Sequence, residues 1–287
     1  MNASLRDCPI CRTAAAPKNR IGPLPANHHK LEGREYDLVT CPNCELIYLS
    51  PAPTTSDIRA MYTESSQFDQ DDVYRGERGK VALDFYADRL RALLTKMNRA
   101  PHDKIRVLEI GAGLSWMCHA AKQLSPASVT VAQDITGETV QECTWVDQFC
   151  VEELSAHGVE GRAPYDVVSM THVVEHLVDP VGTLRRIRDL IASEGLVFVT
   201  APHRPAGWRN DDAIAKWQAW SYNHVPAHIQ HFSSASMRLA AEGTAFTVVL
   251  WDNNQEDGQA FEAWLQPAPR GWQRIWAAAR GSLRKAS

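Results

Sequence analysis

The sequence predicts an α/β protein built on a doubly wound, mostly parallel sheet of seven strands, with a small module at its N-terminus. The first observation behind this prediction is an apolar strand at 105–110, "IRVLEI", followed at once by a turn that contains Gly111 and Gly113. The second is the alternation of strands and helices beyond that turn, which is typical of parallel sheets covered by helices. The third is a pair of cysteine motifs within the first 50 residues.

The overall composition is that of a globular protein. The chain has 287 residues, of which 44% are hydrophobic and 22% are charged, and this is enough to build a full core. No apolar run approaches the roughly 18 residues of a membrane span, and the first residues lack the apolar segment of a secretory signal. We therefore expect a cytoplasmic protein. The net charge of -4 provides no basic field, so nucleic acid is not expected as a partner.

Four of the seven cysteines form two CxxC pairs. Cys8 and Cys11 stand in "CPIC", and Cys41 and Cys44 stand in "CPNC". Each CxxC turn points two thiolates at one place, and two such turns complete a tetrahedral shell around zinc with no open position. A disulfide framework is the alternative, but the odd number of cysteines and a reducing compartment argue against it. The sequence therefore predicts a zinc-ribbon module with a structural Zn²⁺.

Breaks in composition divide the chain into four parts. Prolines near residue 52 end the cysteine-containing module, and the apolar positions from Val81 to Met97 approximate one face of a helix. The predicted parts are a zinc-binding module at 1–52, a helical linker and cap at 53–100, the sheet domain at 101–267 with an insert at 203–232, and a tail at 268–287.

The segment around Gly111 and Gly113 predicts a nucleotide-type site. Glycines let the chain bend sharply and let a ligand approach the backbone, while free N–H groups at the start of the next helix face the ligand. The following strand, "SVTVAQD", ends in Asp134, which is placed to accept hydrogen bonds from ribose hydroxyls. Ser115 stands where a third glycine is expected, so the full dinucleotide fingerprint is absent.

The rest of the chain continues the alternation of strands and helices. Ser233 or Ser234 and Gly243 mark the start and end of one helix. The predicted elements after Asp134 are a short helix near 137–143, a strand around 145–150, a strand at 165–170, a helix at 181–193 stopped by Gly195, a strand at 196–202, a helix near 233–242, and strands at 245–252 and 259–267.

The segment 170–176, "MTHVVEH", has two interpretations. On a helix, His172 and His176 would share one face, as in an inverted zinc-peptidase motif with Glu175 as its base, and a third ligand such as Glu242 or Glu256 would be needed. The segment also follows directly after a predicted parallel strand. Ligands bind at the carboxyl edge of such strands, which favours a place in a ligand pocket.

Several segments together resemble the class I S-adenosylmethionine-dependent methyltransferases. They are "VLEIGAG", the acid that ends the second strand, "YDVVSMTHVVEHLVDP", "GLVFVTAP" and "HIQHFSSASMRLAAEG". This resemblance implies the seven-stranded Rossmann-like methyltransferase fold. The stretch "CPNCELIYLSPAPTTSDIRAMY" is similar to the zinc-containing subgroup, which includes sugar C-methyltransferases and enzymes that modify surface glycans or small metabolites.

The resemblance also implies which residues hold the cofactor, S-adenosylmethionine. Glu109 and the glycine turn would contact its methionine part, and Asp134 its ribose. The adenine would be bound near "FCVEEL". Cys150 stands at the position where an acidic residue is usual, and Glu152 is the substitute for that residue. The cofactor-binding residues that we expect are Glu109, Gly111, Ala112, Gly113, Asp134, Glu152 and His172.

The implied function is methyl transfer to a small-molecule or sugar/glycan acceptor, at oxygen or carbon. The sulfonium already makes the methyl carbon electrophilic, so the protein mainly aligns the acceptor and excludes water, and a base helps where the nucleophile carries a proton. A noncatalytic module that binds the cofactor and zinc is the alternative, and a metallopeptidase is less expected.

Histidine titrates in the range that suits such a base. We favour His176 and His228 as catalytic residues. The other candidates are His231, Tyr222 and His172, with His203 and His224 also in reach. In the structural alternative, Glu175 holds His176 in place and the ring acts only as a scaffold.

The insert at 203–232 is rich in tryptophan. Trp208, Trp217 and Trp220 could form a lid that stacks on a sugar or another ring of the substrate. They could equally form a satellite hydrophobic cluster that holds a long loop in place.

The tail carries basic residues and a tryptophan-containing apolar face. Arg270, Arg274 and Arg280 belong to a predicted basic amphipathic helix. Such a helix could rest on an anionic membrane surface, which would be the inner face for a cytoplasmic protein, or pack on its own domain.

Overall fold

The computed structural model describes residues 5–62, 76–154, 158–209, 214–255 and 258–269. The strands are β1 (Arg20–Pro25), β2 (Glu35–Thr40), β3 (Ile47–Ser50), β4 (Arg106–Ile110), β5 (Val129–Asp134), β6 (Gln148–Val151), β7 (Tyr165–Thr171), β8 (Ile191–Pro202), β9 (Gln230–His231), β10 (Phe246–Gln255) and β11 (Ala260–Pro267). The helices are α1 (Thr55–Tyr62), α2 (Glu77–Lys96), α3 (Trp116–Leu124), α4 (Pro180–Leu190), α5 (Ile214–Gln218) and α6 (Ser234–Glu242).

Seven strands form the main sheet in the order β10-β11-β8-β7-β4-β5-β6. Strands β4 to β8 pair in parallel, while β11 runs antiparallel to both β8 and β10. This arrangement confirms the predicted doubly wound, mostly parallel sheet. Because β4, β5 and β7 are parallel and their centre is β4, the residues that follow Ile110, Asp134 and Thr171 meet at one edge of the sheet.

The central strands are apolar on both faces. Val107 and Leu108 of β4 and Val167 and Val168 of β7 are fully buried, because helices such as α2 and α3 cover one face of the sheet and α4 and α6 belong to the core on the other. A strand buried on both sides reads as a continuous hydrophobic run. This explains why the sequence reveals these strands without an alternating pattern.

A second, antiparallel sheet has the order β1-β2-β3-β9. Its fourth strand comes from the insert, since Ile47 of β3 pairs with His231 and Tyr48 pairs with Gln230. The N-terminal module and the insert therefore share one sheet, although about 180 residues separate them in the chain. From the sequence these two parts are predicted as separate units, because the local pattern of a two-residue strand does not reveal its distant partner.

The three tryptophans of the insert pack inside this part of the molecule. Trp208, Trp217 and Trp220 are buried in one cluster with residues such as Leu24 and Leu49 of the small sheet. Their rings meet edge to face at 5.2–5.3 Å between centroids, as aromatic pairs prefer. The tryptophans thus form the hydrophobic cluster of the second alternative. Closure of the insert over a substrate stays a prediction.

Two predicted helices differ from the structure. The helix near 137–143 is wrong, because this segment forms turns in which the Thr139 hydroxyl donates a hydrogen bond to the carbonyl of Gly113. This contact, made across 26 residues, ties the segment to the glycine turn. The helix predicted at 181–193 begins at Pro180 and ends at Leu190, since Ile191 is extended and pairs with Tyr165 of β7. The helix predicted at 233–242 is confirmed, with Ser233 as its cap.

Among the described helices, none combines the length and the apolar character that crossing a membrane requires. The basic tail from residue 270 onward lies outside the described residues, so its membrane contact stays a prediction.

Candidate active site

The glycine turn after β4 has the backbone conformation that its sequence demands. Gly111 has φ +59° and Gly113 has φ +46°, both in the left-handed region that favours glycine. A Cβ atom on Gly111 would lie 2.4 Å from Cγ2 of Val173, so the turn is also closely covered. Ser115 has φ +52° at the start of α3. The position where a third glycine is expected therefore keeps a glycine-like conformation with a serine in it.

The Glu109 side chain binds the start of the helix that follows this turn. Its buried carboxylate accepts hydrogen bonds from the backbone N–H groups of Met117 and Cys118, at 3.2 and 3.0 Å, in the first turn of α3. Burial raises the pKa of Glu109 to about 7, although these two bonds act in the opposite direction. The structure thus places Glu109 on the helix amides. Its contact with the methionine part of a cofactor stays a prediction.

Asp134 lies at the end of β5, beside the glycine turn. Its carboxylate accepts a hydrogen bond from the N–H of Gly113 at 2.9 Å and another from the N–H of Thr136 at 3.0 Å. The N–H of Ala112 donates to the Gln133 carbonyl at 3.0 Å. A carboxylate has about four acceptor positions, so ribose hydroxyls can still bind Asp134. These contacts hold the turn in place.

Glu152 follows β6 and is tied to the same edge. Its N–H donates to the Asp134 carbonyl at 2.9 Å, and Cys150, two residues earlier, is buried. The backbone of Glu152 therefore lies beside that of Asp134. Its role toward adenine stays a prediction.

The segment "MTHVVEH" does not form the α-helix that a zinc-peptidase motif requires. Strand β7 ends at Thr171, His172 takes φ +53°, and only Val174–His176 form a short 3₁₀ turn. A non-glycine residue with positive φ is strained and is common at functional sites. Glu242, one of the third ligands considered, belongs to neither group of metal-ligating side chains in the described residues, and Glu256 lies outside them.

His172 and Glu175 form a pair at this edge. The Nδ1 atom of His172 lies 3.5 Å from Oε1 of Glu175, and the histidine side chain is 41% exposed while the glutamate is fully buried. The ring of His172 stacks on Tyr222 with 6.2 Å between centroids. Val173, the next residue, is the one that covers Gly111. The pair therefore lies directly beside the glycine turn.

His176 and His228 are held by carbonyl groups of the insert. The Nδ1 atom of His176 is 2.8 Å from the carbonyl oxygen of Ala227, and Nδ1 of His228 is 2.8 Å from that of Tyr222. A carbonyl only accepts, so Nδ1 carries the proton in both rings. The rings meet at 4.8 Å. Burial, followed by the charge of His176, lowers the pKa of His228.

Two further histidines of the insert, His224 and His231, lie near His228. The histidine cluster, as we name it, consists of His172, His176, His224, His228 and His231. His231 is buried between Trp217 and Trp220, and burial lowers its pKa to about 3. His203 is buried outside the cluster, with a pKa lowered by burial to about 4. His224 lies 4.9 Å from His228, ring to ring. Catalytic roles of these residues stay predictions.

Tyr62 is a residue of this site that sequence reasoning missed. It ends α1, and its hydroxyl lies 3.2 Å from Nδ1 of His176. Burial, followed by the negative charges of Glu175 and Asp134, raises its pKa. The only sequence signal was its position in the stretch "SDIRAMY", which resembles the zinc-containing subgroup.

Hydrogen bonds join the insert to backbone carbonyls of residues 174–177. The N–H of Ile229 donates to the Glu175 carbonyl at 2.8 Å. The side-chain amide of Gln230 donates to the carbonyls of Val174 and Leu177, at 3.0 and 2.8 Å. These bonds explain how residues 52 positions apart, Glu175 and Ala227, come to surround the same ring.

The four N-terminal cysteines meet at one point. The cysteine cluster, as we name it, consists of Cys8, Cys11, Cys41 and Cys44, and their sulfur atoms all lie within 4.8 Å of one another. The pairs Cys8–Cys44 and Cys11–Cys41 are 3.5 and 3.4 Å apart. Zn–S bonds of about 2.3 Å separate the sulfurs of a tetrahedron by about 3.8 Å. The donor set therefore fits zinc, as predicted, and it lies within the main core.

Comparison with known proteins agrees with this geometry. Residues 81–251, more than half of the chain, match the methyltransferase domain family. The protein belongs to this family, and its fold is that of the class I enzymes that use S-adenosylmethionine. No curated protein sequence matches the chain.

Solved structures of low sequence identity share the fold. One is the 1,6-didemethyltoxoflavin-N1-methyltransferase of Burkholderia thailandensis with bound 1,6-didemethyltoxoflavin and S-adenosylhomocysteine. It is 16% identical, with a TM-score of 0.54 over 86% of this chain and 100% of that one. Another is an S-adenosylmethionine-dependent methyltransferase from Clostridium acetobutylicum, 7% identical, with a TM-score of 0.50 over 69% of this chain and 96% of that one.

Proposed function

We propose that the protein methylates a small-molecule or sugar acceptor with S-adenosylmethionine as donor, and that His172 takes the proton of the acceptor. One observation carries this proposal. His172 lies at the carboxyl end of β7, next to the residue that covers Gly111, and its Nδ1 is 3.5 Å from the buried carboxylate of Glu175. A base oriented by a carboxylate thus stands beside the expected cofactor position.

The cofactor residues have separate tasks. The turn at Gly111 and Gly113 lets the backbone approach the methionine part, and Glu109 keeps that turn and α3 together. Asp134 accepts from the ribose, and Glu152 stands beside it. When bound, S-adenosylmethionine supplies a methyl group that is electrophilic because it is attached to a sulfonium. The protein residues then bind, orient and shield the two reactants.

The base is better assigned to His172 than to the favoured His176 and His228. The His172 side chain is 41% exposed and that of His176 is 24% exposed, while His228 is buried, so an acceptor reaches His172 most readily. Because Nδ1 of His172 faces Glu175, we assign the proton transfer to Nε2. The acceptor loses its proton to this nitrogen, a bond forms between its oxygen or carbon and the methyl carbon, and the electron pair of the broken bond stays on sulfur.

The acceptor class rests on two weaker supports. The stretch after Cys41 is similar to the subgroup that includes sugar C-methyltransferases, which favours a sugar or a glycan precursor. The stacked rings of His172 and Tyr222 offer a flat surface on which a sugar or another ring can lie. Methylation at oxygen suits the pair of His172 and Glu175, because a hydroxyl needs to lose a proton.

Binding of the cofactor is the first test. We expect saturating S-adenosylmethionine to raise the melting temperature, since a ligand at 100 times its Kd stabilises by about 2.7 kcal/mol. The variant Asp134→Ala should lose most of this shift, whereas Asp84→Ala, on the exposed side of α2, should keep it. The absence of any shift with wild-type protein would overturn the proposal.

Turnover is the second test. Labelled S-adenosylmethionine is offered with nucleotide sugars, free glycosides and phenolic or heterocyclic small molecules, and methylated products are identified by mass spectrometry. We expect product in at least one class. Cofactor binding without product from any class would favour the noncatalytic alternative over the enzyme.

A further inference from the structure

Two histidines of the histidine cluster and the buried Glu175 bring metal-ligating atoms close together. One oxygen of Glu175 and one nitrogen each of His176 and His228 lie within 4.8 Å of one another. Nε2 of His176 lies 3.8 Å from Oε1 of Glu175. These residues come from the turn after β7 and from the insert, and only the tertiary fold brings them together.

Glu175 carries the decisive observation. Its side chain is fully buried, and neither carboxylate oxygen has a hydrogen-bond partner among the described residues. Burying a carboxylate without a partner costs several kcal/mol. Buried carboxylates are therefore paired with a charge or coordinate a metal. The two nearby contacts, at 3.5 Å to His172 and 3.8 Å to His176, are too long for hydrogen bonds.

The two histidines present lone pairs and not protons. Because Nδ1 of each ring donates to a backbone carbonyl, at 2.8 Å in both cases, Nε2 of a neutral ring is an acceptor. Histidines that bind metals have this arrangement, in which the second nitrogen donates to a carbonyl and thereby sets the tautomer and the direction of the ring. A carboxylate and two imidazole lone pairs that face one another repel unless a cation lies between them.

We propose that Glu175, His176 and His228 bind a divalent transition-metal ion, such as Zn²⁺ or Fe²⁺, separate from the ion of the cysteine cluster. Two histidines and one carboxylate are a known ligand set for these ions and leave coordination positions open. Bonds of about 2.0–2.2 Å would place ligand atoms roughly 3.3–3.5 Å apart, so only small side-chain rotations separate the observed geometry from a bound one.

An acceptor with a hydroxyl group could bind at an open coordination position of this ion, and the ion would thereby favour such acceptors. A hydroxyl bound to a divalent cation loses its proton more readily, and His172 lies on the same carboxylate to receive it. This role rests on the proposed function and favours an oxygen acceptor. The presence of the ion does not rest on it, because binding can be measured without cofactor or acceptor.

Cobalt(II) tests the site in the full-length protein. The protein is first loaded with zinc and washed with a mild chelator, so that the cysteine cluster stays occupied, and Co²⁺ is then titrated in. We expect one further equivalent to bind, with the weak visible absorption of nitrogen and oxygen ligands and without thiolate-to-cobalt charge transfer. Failure of wild-type protein to bind Co²⁺, Zn²⁺ or Fe²⁺ beyond the cysteine site would overturn the proposal.

Matched variants assign the ligands. We expect His176→Gln, His228→Gln and Glu175→Gln each to lower the affinity by about 100-fold or more, while His224→Gln, whose ring lies 4.9 Å from His228, keeps it. Retention of the zinc in the cysteine cluster and of the cofactor-induced thermal shift shows that a variant is folded. Unchanged cobalt binding in a folded His228→Gln, or equal loss in His224→Gln, would contradict the assignment.

The outcome of this experiment is independent of methyl transfer. If the proposed function fails while the ion binds, S-adenosylmethionine gives no thermal shift but cobalt is still taken up. If the metal proposal fails alone, the thermal shift remains and only the cobalt equivalent is missing. The two proposals can thus be rejected separately.

Discussion

The cysteine cluster and the histidine cluster both gather metal-ligating side chains, and they are built in opposite ways. The cysteines come from two short turns, have only thiolate donors, and lie in the main core. The histidines come from the end of β7 and from a distant insert, and backbone carbonyls hold the rings of His176 and His228. A closed set of thiolates supports a fold, whereas an incomplete set of imidazoles and a carboxylate at the ligand-binding edge supports chemistry.

The structural role of the cysteine cluster should give the largest effect. We expect Cys41→Ser to lose zinc and to destabilise the whole protein by more than about 4 kcal/mol, because the cluster packs in the same core as the sheet. Metal analysis and thermal unfolding check this. Cys150→Ser, a buried cysteine outside the cluster, should keep its zinc. A melting temperature of Cys41→Ser close to that of wild type would contradict a structural role.

Substitution of His172 should give the next largest effect, on turnover, without a change in the stability of the protein. We expect His172→Gln to lower turnover by about 10²–10⁴-fold, the usual contribution of a general base, because glutamine can face Glu175 but cannot take a proton. The rate is measured on an acceptor that wild-type protein methylates. His29→Gln, at an exposed position, should match wild type. Equal loss of cofactor binding and turnover would point to a positioning role instead.

The link between the histidine cluster and the cofactor turn is tested at Gly111. We expect Gly111→Ala to cost about 1–3 kcal/mol and to abolish the cofactor-induced thermal shift, since the new Cβ would collide with Val173. Gly33→Ala is the control, because Gly33 also has positive φ, +80°, but a Cβ there would meet nothing within 4 Å. If both variants lose the same stability and both keep the thermal shift, Val173 does not couple the two regions.

The smallest effect concerns a histidine outside both clusters. His203 is buried, its Nδ1 donates to the Phe232 carbonyl, and burial lowers its pKa to about 4. In the unfolded chain His203 takes up a proton near pH 6.5, whereas in the folded protein it does so only near pH 4. The contribution of this group to the free energy of unfolding is therefore complete above pH 6.5 and falls as the pH drops toward 4. We expect a loss of about 2 kcal/mol at pH 5 from this group.

Thermal or urea unfolding at pH 7 and pH 5 measures this loss. In His203→Gln the difference between the two pH values should shrink by about that amount. His102→Gln, at an exposed position, should leave the difference as in wild type. An identical pH dependence in His203→Gln and wild type would show that other buried groups, such as His231, carry the whole effect.

Local chemistry explains which features could be predicted. The central strands, the glycine turn and the CxxC pairs each depend on residues a few positions apart, so their patterns are visible in the chain. The helix expected near 137–143 was wrong because Thr139 bonds to Gly113, a contact made across 26 residues. The end of α4 was misplaced because pairing of Ile191 with β7 overrides helix propensity.

Part of the candidate site could also be predicted, because it depends on the direction of the parallel strands. The sequence placed Gly111, Gly113, Asp134 and the segment 170–176 at one edge, because parallel strands bring their carboxyl ends together. It could not show that His172 adopts positive φ, nor that Tyr62 reaches His176. Side-chain geometry of this kind depends on the packing of elements that are far apart in the chain.

The sequence alone determined the class of this protein, because the strands of the methyltransferase sheet, the glycine turn and the two CxxC pairs are all short-range patterns. The tertiary structure alone decided that the insert supplies a strand to the N-terminal sheet and carbonyls to His176 and His228. The physical reason is that burying Glu175 and ordering two histidines around it require groups from both ends of a long connection, and only the folded chain holds them at one point.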